Sequence, residues 1–132
     1  MSAEFLYRIV PTRIEMLTAG PTAAEIAATQ AHFAYLEAAK NVGVVLGAGR
    51  TLTRDEGTFG IVIFRAPDED KARDFMECDP AVQAGVMRGE LFPFRIALWA
   101  PNIEPSAGGP RSLPEPPARV VLPPPSPDED GE

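Results

Sequence analysis

An α+β fold, one antiparallel sheet with helices on a single face, is the class this sequence predicts. Three observations carry that expectation. Four short apolar runs have strand character, two longer stretches hold apolar residues at helical spacing, and the six follow the order β-α-β-β-α-β. Residues 5–10 form a β-rich run closed by Pro11, whose ring removes a donor and fixes φ. Residues 12–21 show no period and read as an irregular connection.

Residues 22–41 then read as a helix that Thr22 can cap. The polar Gln30, Glu37 and Asn41 share one stripe, and Ala28, His32, Tyr35 and Ala39 lie opposite, because positions three, four and seven apart share a face. Gly43 stops the helix and residues 44–52 read as a second strand. Asp55, Glu56 and Gly57 make a turn into a third strand, residues 58–65. Asp68, after Pro67, opens a second helix whose acidic first turn suits the helix dipole, running to about Cys78. Asp79-Pro80 restarts a short helix to about Arg88, and residues 91–99 form the last strand. This order is the ferredoxin-like, split βαβ arrangement.

The sheet is apolar on both sides. Phe59, Ile61 and Ile63 alternate with Val62 and Phe64, while Phe92, Phe94, Ile96 and Leu98 alternate with Leu91, Ala97 and Trp99. A half-exposed strand alternates apolar with polar residues, so the face without helices is expected to be covered. A homodimer packed sheet to sheet is the expected cover.

Composition divides the 132 residues into one domain, 1–100, and a tail, 101–132. Ten of the fifteen prolines fall in the tail, which excludes helix and central strand there and predicts an extended or disordered segment with an acidic end. A solvated tail is the plain reading; a strap docking Val120, Val121 and Leu122 on the domain or a partner subunit is the sharper one. The net charge of −7 divides as −3 up to Ala100 and −4 beyond, which argues against nucleic acid, whose binding relies on clustered Lys and Arg. One cysteine makes no internal bridge, no Cys/His cluster has metal-ligand spacing, and no run approaches the roughly 20 apolar residues of a membrane span. The N-terminus has no basic segment followed by an apolar run, so a reducing cytoplasm is the expected compartment.

His32 is the single histidine, and it falls on the inward face of its helix. A buried imidazole needs a partner for its ring nitrogens, and its charge responds to that partner. It can equally be a satisfied core histidine. Asp79 before Pro80 is what a helix start looks like, an acidic N-cap with proline at the first helical position. Cys78, flanked by Glu77 and Asp79, lacks the basic neighbour of a reactive thiol and is expected to be a buried small apolar residue; Met76 and Met87 read as core. Gly47 and Gly49 alternate along a strand and so share one face; beneath the first helix they would open a pocket under His32, and otherwise they mark a bulge or a dimer contact. Gly47-Ala48-Gly49 does not lead into a helix and is no dinucleotide fingerprint. Tyr7 and Arg50 are possible anion or oxyanion partners whose direction the sequence does not fix.

Taken together, the run His32-Phe33-Ala34-Tyr35-Leu36, the strand Gly43-Val44-Val45-Leu46-Gly47-Ala48-Gly49-Arg50, the segment Asp79-Pro80-Ala81-Val82-Gln83-Ala84-Gly85-Val86 and the closing Gly89-Glu90-Leu91-Phe92-Pro93-Phe94 resemble the YciI-like (YCII) family. The resemblance spans residues 5–99, without the tail and with a longer 12–21 connection than is usual. It implies the dimeric α+β barrel group, and a histidine-aspartate dyad at the matching positions, His32 and Asp79. It further implies proton-transfer chemistry on a small organic acid or dienone, with no cofactor and no metal; halide elimination from a chlorinated ring-cleavage product and muconolactone isomerisation are related activities.

Two functions follow as expectations. One is a cofactor-free lyase or isomerase in which Asp79 orients His32 and raises its basicity, so that the free ring nitrogen exchanges a proton beside a carbonyl. The other is a non-catalytic dimer that binds a small metabolite or meets a partner protein through its Pro-rich tail, since such scaffolds host many functions.

Overall fold

Alternating burial along the first strand sets the two faces of the sheet. The structure, a computed structural model, describes residues 2–101. In β1 (Ala3–Pro11) the side chains of Phe5, Tyr7 and Ile9 are buried while Leu6, Arg8 and Val10 point to the opposite, more accessible face. β1 lies inside a four-stranded antiparallel sheet of order β2-β3-β1-β4, with β2 (Val45–Arg50), β3 (Gly60–Ala66) and β4 (Met87–Pro93). This is the ferredoxin-like arrangement anticipated from the element order. The expectations for the tail, including the docking of Val120, Val121 and Leu122, lie outside the described residues.

Helices α2 (Ala23–Asn41), α3 (Glu69–Glu77) and α4 (Pro80–Gln83) cover one face. The inward stripe of α2 runs through Glu25, Ala28, His32, Leu36 and Ala39. Between sheet and helices, Phe64 is wholly buried and packs on Phe75 with ring centroids 4.8 Å apart. Tyr35 stacks on Phe75 at 5.0 Å, and Tyr7 meets Phe64 edge-on at 5.6 Å. Offset and edge contacts of this kind suit the ring quadrupole and add to the area buried. They also fix the Tyr7 ring in one place.

Four details differ from the sequence reading. The irregular 12–21 stretch contains a short helix, α1 (Glu15–Thr18), that buries Met16. The helix begun at Pro80 ends at Gln83 rather than near Arg88, because Gly85 adopts φ +77° and turns the chain straight into β4. β4 therefore spans Met87–Pro93 instead of 91–99, and its charged start, Arg88 and Glu90, stands on the accessible face, where Glu90 meets Arg8 at 3.7 Å. Cys78 is exposed, not buried; it caps the end of α3, its backbone N–H donating to the Asp74 carbonyl.

For the glycines the structure selects the bulge among the readings the sequence left open, and not the pocket under His32. Val45 pairs with Phe64 on the helix-covered face, but a register shift between Val45 and Gly47 inserts one extra residue into β2. Because the side-chain period of a strand is two, a one-residue bulge exchanges the faces of everything after it. Gly47 and Gly49 consequently pair with Ile63 and Ile61 on the face without helices, and no pocket forms from them beneath His32. They line a shallow trough there with Phe59, Ile61, Ile63 and Trp99. Trp99 lies across Gly47, 3.4 Å from where a Cβ would stand.

The entry to α2 is a double fastening. Thr22 Oγ1 accepts from the Glu25 N–H at 3.1 Å and Glu25 Oε1 accepts from the Thr22 N–H at 2.8 Å, a reciprocal capping box. The Arg13 guanidinium grips the same carboxylate in a bidentate fork, Nε to Oε2 at 2.8 Å and Nη2 to Oε1 at 2.7 Å. This hydrogen-bonded guanidinium, helped by the Thr22 N–H, holds the Glu25 carboxyl down at about 2. A carboxyl depressed on folding stabilises the fold fully above its ordinary value near 4.5, and that support drains away as pH falls towards 2. Urea titrations across this window are expected to show an acid-dependent loss in the native chain that is smaller in Glu25→Gln. Thr22→Ala is expected to lower stability by about 1 kcal/mol at neutral pH, read from the urea midpoint.

Candidate functional site

Asp79 starts α4, and Pro80 at the first helical position supplies a preset φ with no donor to strand. The Asp79 side chain caps the helix as its sequence context suggests, Oδ1 accepting from the Ala81 N–H at 2.9 Å. Its placement makes this more than a cap. α4 packs against α2, and the carboxylate is 0% exposed. A buried carboxylate is costly unless every oxygen is hydrogen-bonded, and here each one is.

His32 is the second partner. Its Nδ1 sits 2.8 Å from Asp79 Oδ1 and 2.7 Å from Oδ2, so the carboxylate embraces one ring nitrogen with both oxygens. Forty-seven residues separate the two positions in the chain, and packing of α2 on α4 brings them together. The His32 side chain keeps 17% of its surface accessible. Among the described residues Nε2 has no hydrogen-bond partner, and no buried side-chain nitrogen or oxygen is left unpaired, so Nε2 keeps some accessible surface.

Tyr7 is the third. Its hydroxyl donates to Asp79 Oδ2 at 2.6 Å, inside the core, from a residue that is itself 0% exposed. Burial first, then the hydrogen bond to Asp79 and that group's charge, push the Tyr7 phenol well above its usual range, so it keeps its proton. The direction of Tyr7, which the sequence left open, is thus settled by β1: position 7 points to the helices, as do 5 and 9. Tyr35 turns the other way and donates to the Phe75 carbonyl at 2.8 Å, its phenol pushed up to about 12 by burial and then by Cys78 and Asp79.

Arg50 does not join this cluster. It is exposed at the end of the edge strand β2 and lines the trough beside Gly49. Among the described residues no three His, Cys, Asp or Glu side chains converge as a metal-ligand set. The arrangement that exists is an imidazole held by one nitrogen against a fully bonded carboxylate, with its other nitrogen at the surface.

Among solved structures the chain is similar to 5-chloro-2-hydroxyhydroquinone dehydrochlorinase from Burkholderia phenoliruptrix AC1100, in complex with 2,5-dihydroxybenzoquinone. The two share 23% identity over 69% of this chain and 93% of that one, with a TM-score of 0.50, a likeness of fold. An uncharacterised protein from Thermotoga maritima, TM1266, is similar at 13% identity over 72% of this chain and all 100% of its own, with a TM-score of 0.46. No curated protein matches the chain. The model of the YCII-related domain matches residues 11–95, a span that contains both His32 and Asp79. The chain belongs to the YCII-related domain family.

Proposed function

We propose that this protein is a cofactor-independent lyase or isomerase that moves a proton on a small oxygenated organic molecule, with His32 as general base or acid and Asp79 as the carboxylate that orients it. The observation that carries the reading is the pairing of Nδ1, at 2.7 and 2.8 Å, with a carboxylate that is 0% exposed, while the other ring nitrogen stays accessible. A carboxylate on one side of an imidazole fixes the tautomer and raises the basicity of the opposite nitrogen. An imidazole held in this way can take or return a proton at its free nitrogen.

The substrate class follows from what a lone base can accomplish. In an elimination, the base takes a proton, the electrons left behind form a π bond, and a leaving group such as chloride departs with its bonding pair. In an isomerisation the same base takes the proton from one carbon and returns it to another. Hydroxylated chloro-rings and unsaturated lactones or dienones meet these requirements. The dehydrochlorinase similar in fold makes the first class the natural starting point.

We also propose that the protein is a homodimer joined through the sheet face that bears no helices. Leu6, Ile61 and Ile63 on that face are only partly buried, and Phe92 is 39% exposed. The apolar part of this face, beside the Arg8–Glu90 pair, is stable when covered. The single cysteine fits a reducing cytoplasm.

Chloride release from a chlorinated hydroxyhydroquinone, and ring-opening or isomerisation of muconolactone-type substrates, test the catalytic reading. His32→Asn is expected to slow turnover by roughly 10²–10⁴-fold, and Asp79→Asn to slow it by a smaller factor. Unchanged turnover in both variants removes the pair from the reaction. For the assembly, sedimentation velocity is expected to report a dimer for the native chain and a folded monomer for Ile61→Asp; a native monomer contradicts the sheet-to-sheet pairing.

A further inference from the structure

Tyr7 is the donor to Asp79 that the catalytic reading does not use. We propose that Tyr7 is a positioning residue: its buried hydroxyl pins the Asp79 carboxylate so that His32 is held as the Nδ1–H tautomer, leaving the Nε2 lone pair as the site's proton acceptor.

The Asp79 carboxylate has three neighbours within hydrogen-bond distance, Tyr7 Oη at 2.6 Å, the Ala81 backbone nitrogen at 2.9 Å, and His32 Nδ1 at 2.7 and 2.8 Å. The Ala81 amide can only donate. The Tyr7 phenol, sealed among Phe64 and Phe75, has one proton and one acceptor within reach, and so it donates as well. With the carboxylate ionised, no proton remains between it and Nδ1 except the one on the ring. Nδ1 therefore carries hydrogen, and in the neutral imidazole Nε2 does not. A free neutral imidazole distributes its proton between both nitrogens, so this choice is imposed by the site.

Tyr7 makes the choice firm because it acts on the carboxylate's geometry. The Ala81 N–H holds Oδ1 and Tyr7 holds Oδ2, so the plane of the carboxylate is fixed at both ends. β1 sits in the middle of the sheet, paired through Tyr7 to Val62 on one side and to Leu91 on the other, which gives the phenol an immobile base. Without its hydroxyl, Oδ2 gains freedom to rotate or recruit water, and the hold on Nδ1 weakens. The other titratable side chains near the cluster are Tyr35 from α2 and Cys78 from the α3–α4 junction, and Tyr35 is tied to the Phe75 carbonyl instead.

This inference rests on reading His32 as the proton-transfer group, yet its test needs no substrate. The chain has one histidine, so long-range ¹H–¹⁵N spectra of the imidazole are assigned by inspection. At a pH where the ring is neutral, the native protein is expected to show the Nδ1–H form alone. Tyr7→Phe is expected to reveal a population of the Nε2–H form, whereas Tyr35→Phe leaves the native pattern unchanged. Should Tyr7→Phe not fold, the Tyr35→Phe chain grown with 3-fluorotyrosine carries the label at position 7 alone, since the sequence has two tyrosines. The more acidic phenol is then expected to move the His32 Nδ1 resonance. A native spectrum dominated by Nε2–H overturns the proposal, as does a Tyr7→Phe or fluorotyrosine spectrum identical to its parent. Such a result leaves catalysis by His32 open to the turnover assays, and a protein inert in those assays leaves the tautomer assignment standing.

Discussion

The Asp79 carboxylate is the constraint around which the centre of this protein is organised. It is wholly buried, and a buried carboxylate that lost its donors would cost several kcal/mol. Three partners from separate parts of the fold meet it: a phenol from the central strand, an imidazole from the long helix, and a backbone N–H from its own short helix. Each oxygen is shared between Nδ1 and one fixed neighbour. The group that ties β1, α2 and α4 together is therefore the group that aims the imidazole. Structure and candidate chemistry rest on one set of hydrogen bonds.

The rest of the fold gives that carboxylate fixed surroundings. The aromatic stack of Tyr7, Phe64, Phe75 and Tyr35 holds the phenol in place from the sheet side. The capping box and the Arg13 fork secure the start of α2 two turns before His32, on the same stripe of the helix. On the opposite face of the sheet the bulge in β2 brings Gly47 and Gly49 outward, leaving an apolar surface with no carboxylate or imidazole of the cluster. The two faces thus differ in character: one holds the polar cluster, the other is the helix-free face that carries Gly47, Gly49, Ile61 and Ile63.

Much of this was legible in the sequence, and for physical reasons. Strand and helix periods differ enough to order the elements, and the stripe through Ala28, His32 and Ala39 was enough to turn the histidine inward. The Asp79-Pro80 pair announced a helix start by the chemistry of capping, which is local. That this cap also receives His32 is a property of helix packing between residues 47 apart, and the pairing was suggested by resemblance to a family rather than by any local pattern. The direction of Tyr7 required the register of β1. The faces of Gly47 and Gly49 depend on the bulge between Val45 and Gly47, which the sequence allows as one of two readings and does not select, because one inserted residue has no sequence signature of its own. The last strand starts earlier than its apolar run because Gly85 ends the short helix before Arg88; Arg88 and Glu90 then stand on the accessible face and Gly89 faces Met76.

The claim that Asp79 and His32 act as one unit is tested most directly by a double-mutant cycle on stability. Urea unfolding of the native chain, His32→Asn, Asp79→Asn and the double variant gives the coupling energy between the two side chains without reference to any substrate. A coupling of roughly 0.5–3 kcal/mol at neutral pH is expected for partners in one hydrogen-bond network. Additive losses, with a coupling indistinguishable from zero, would contradict the account.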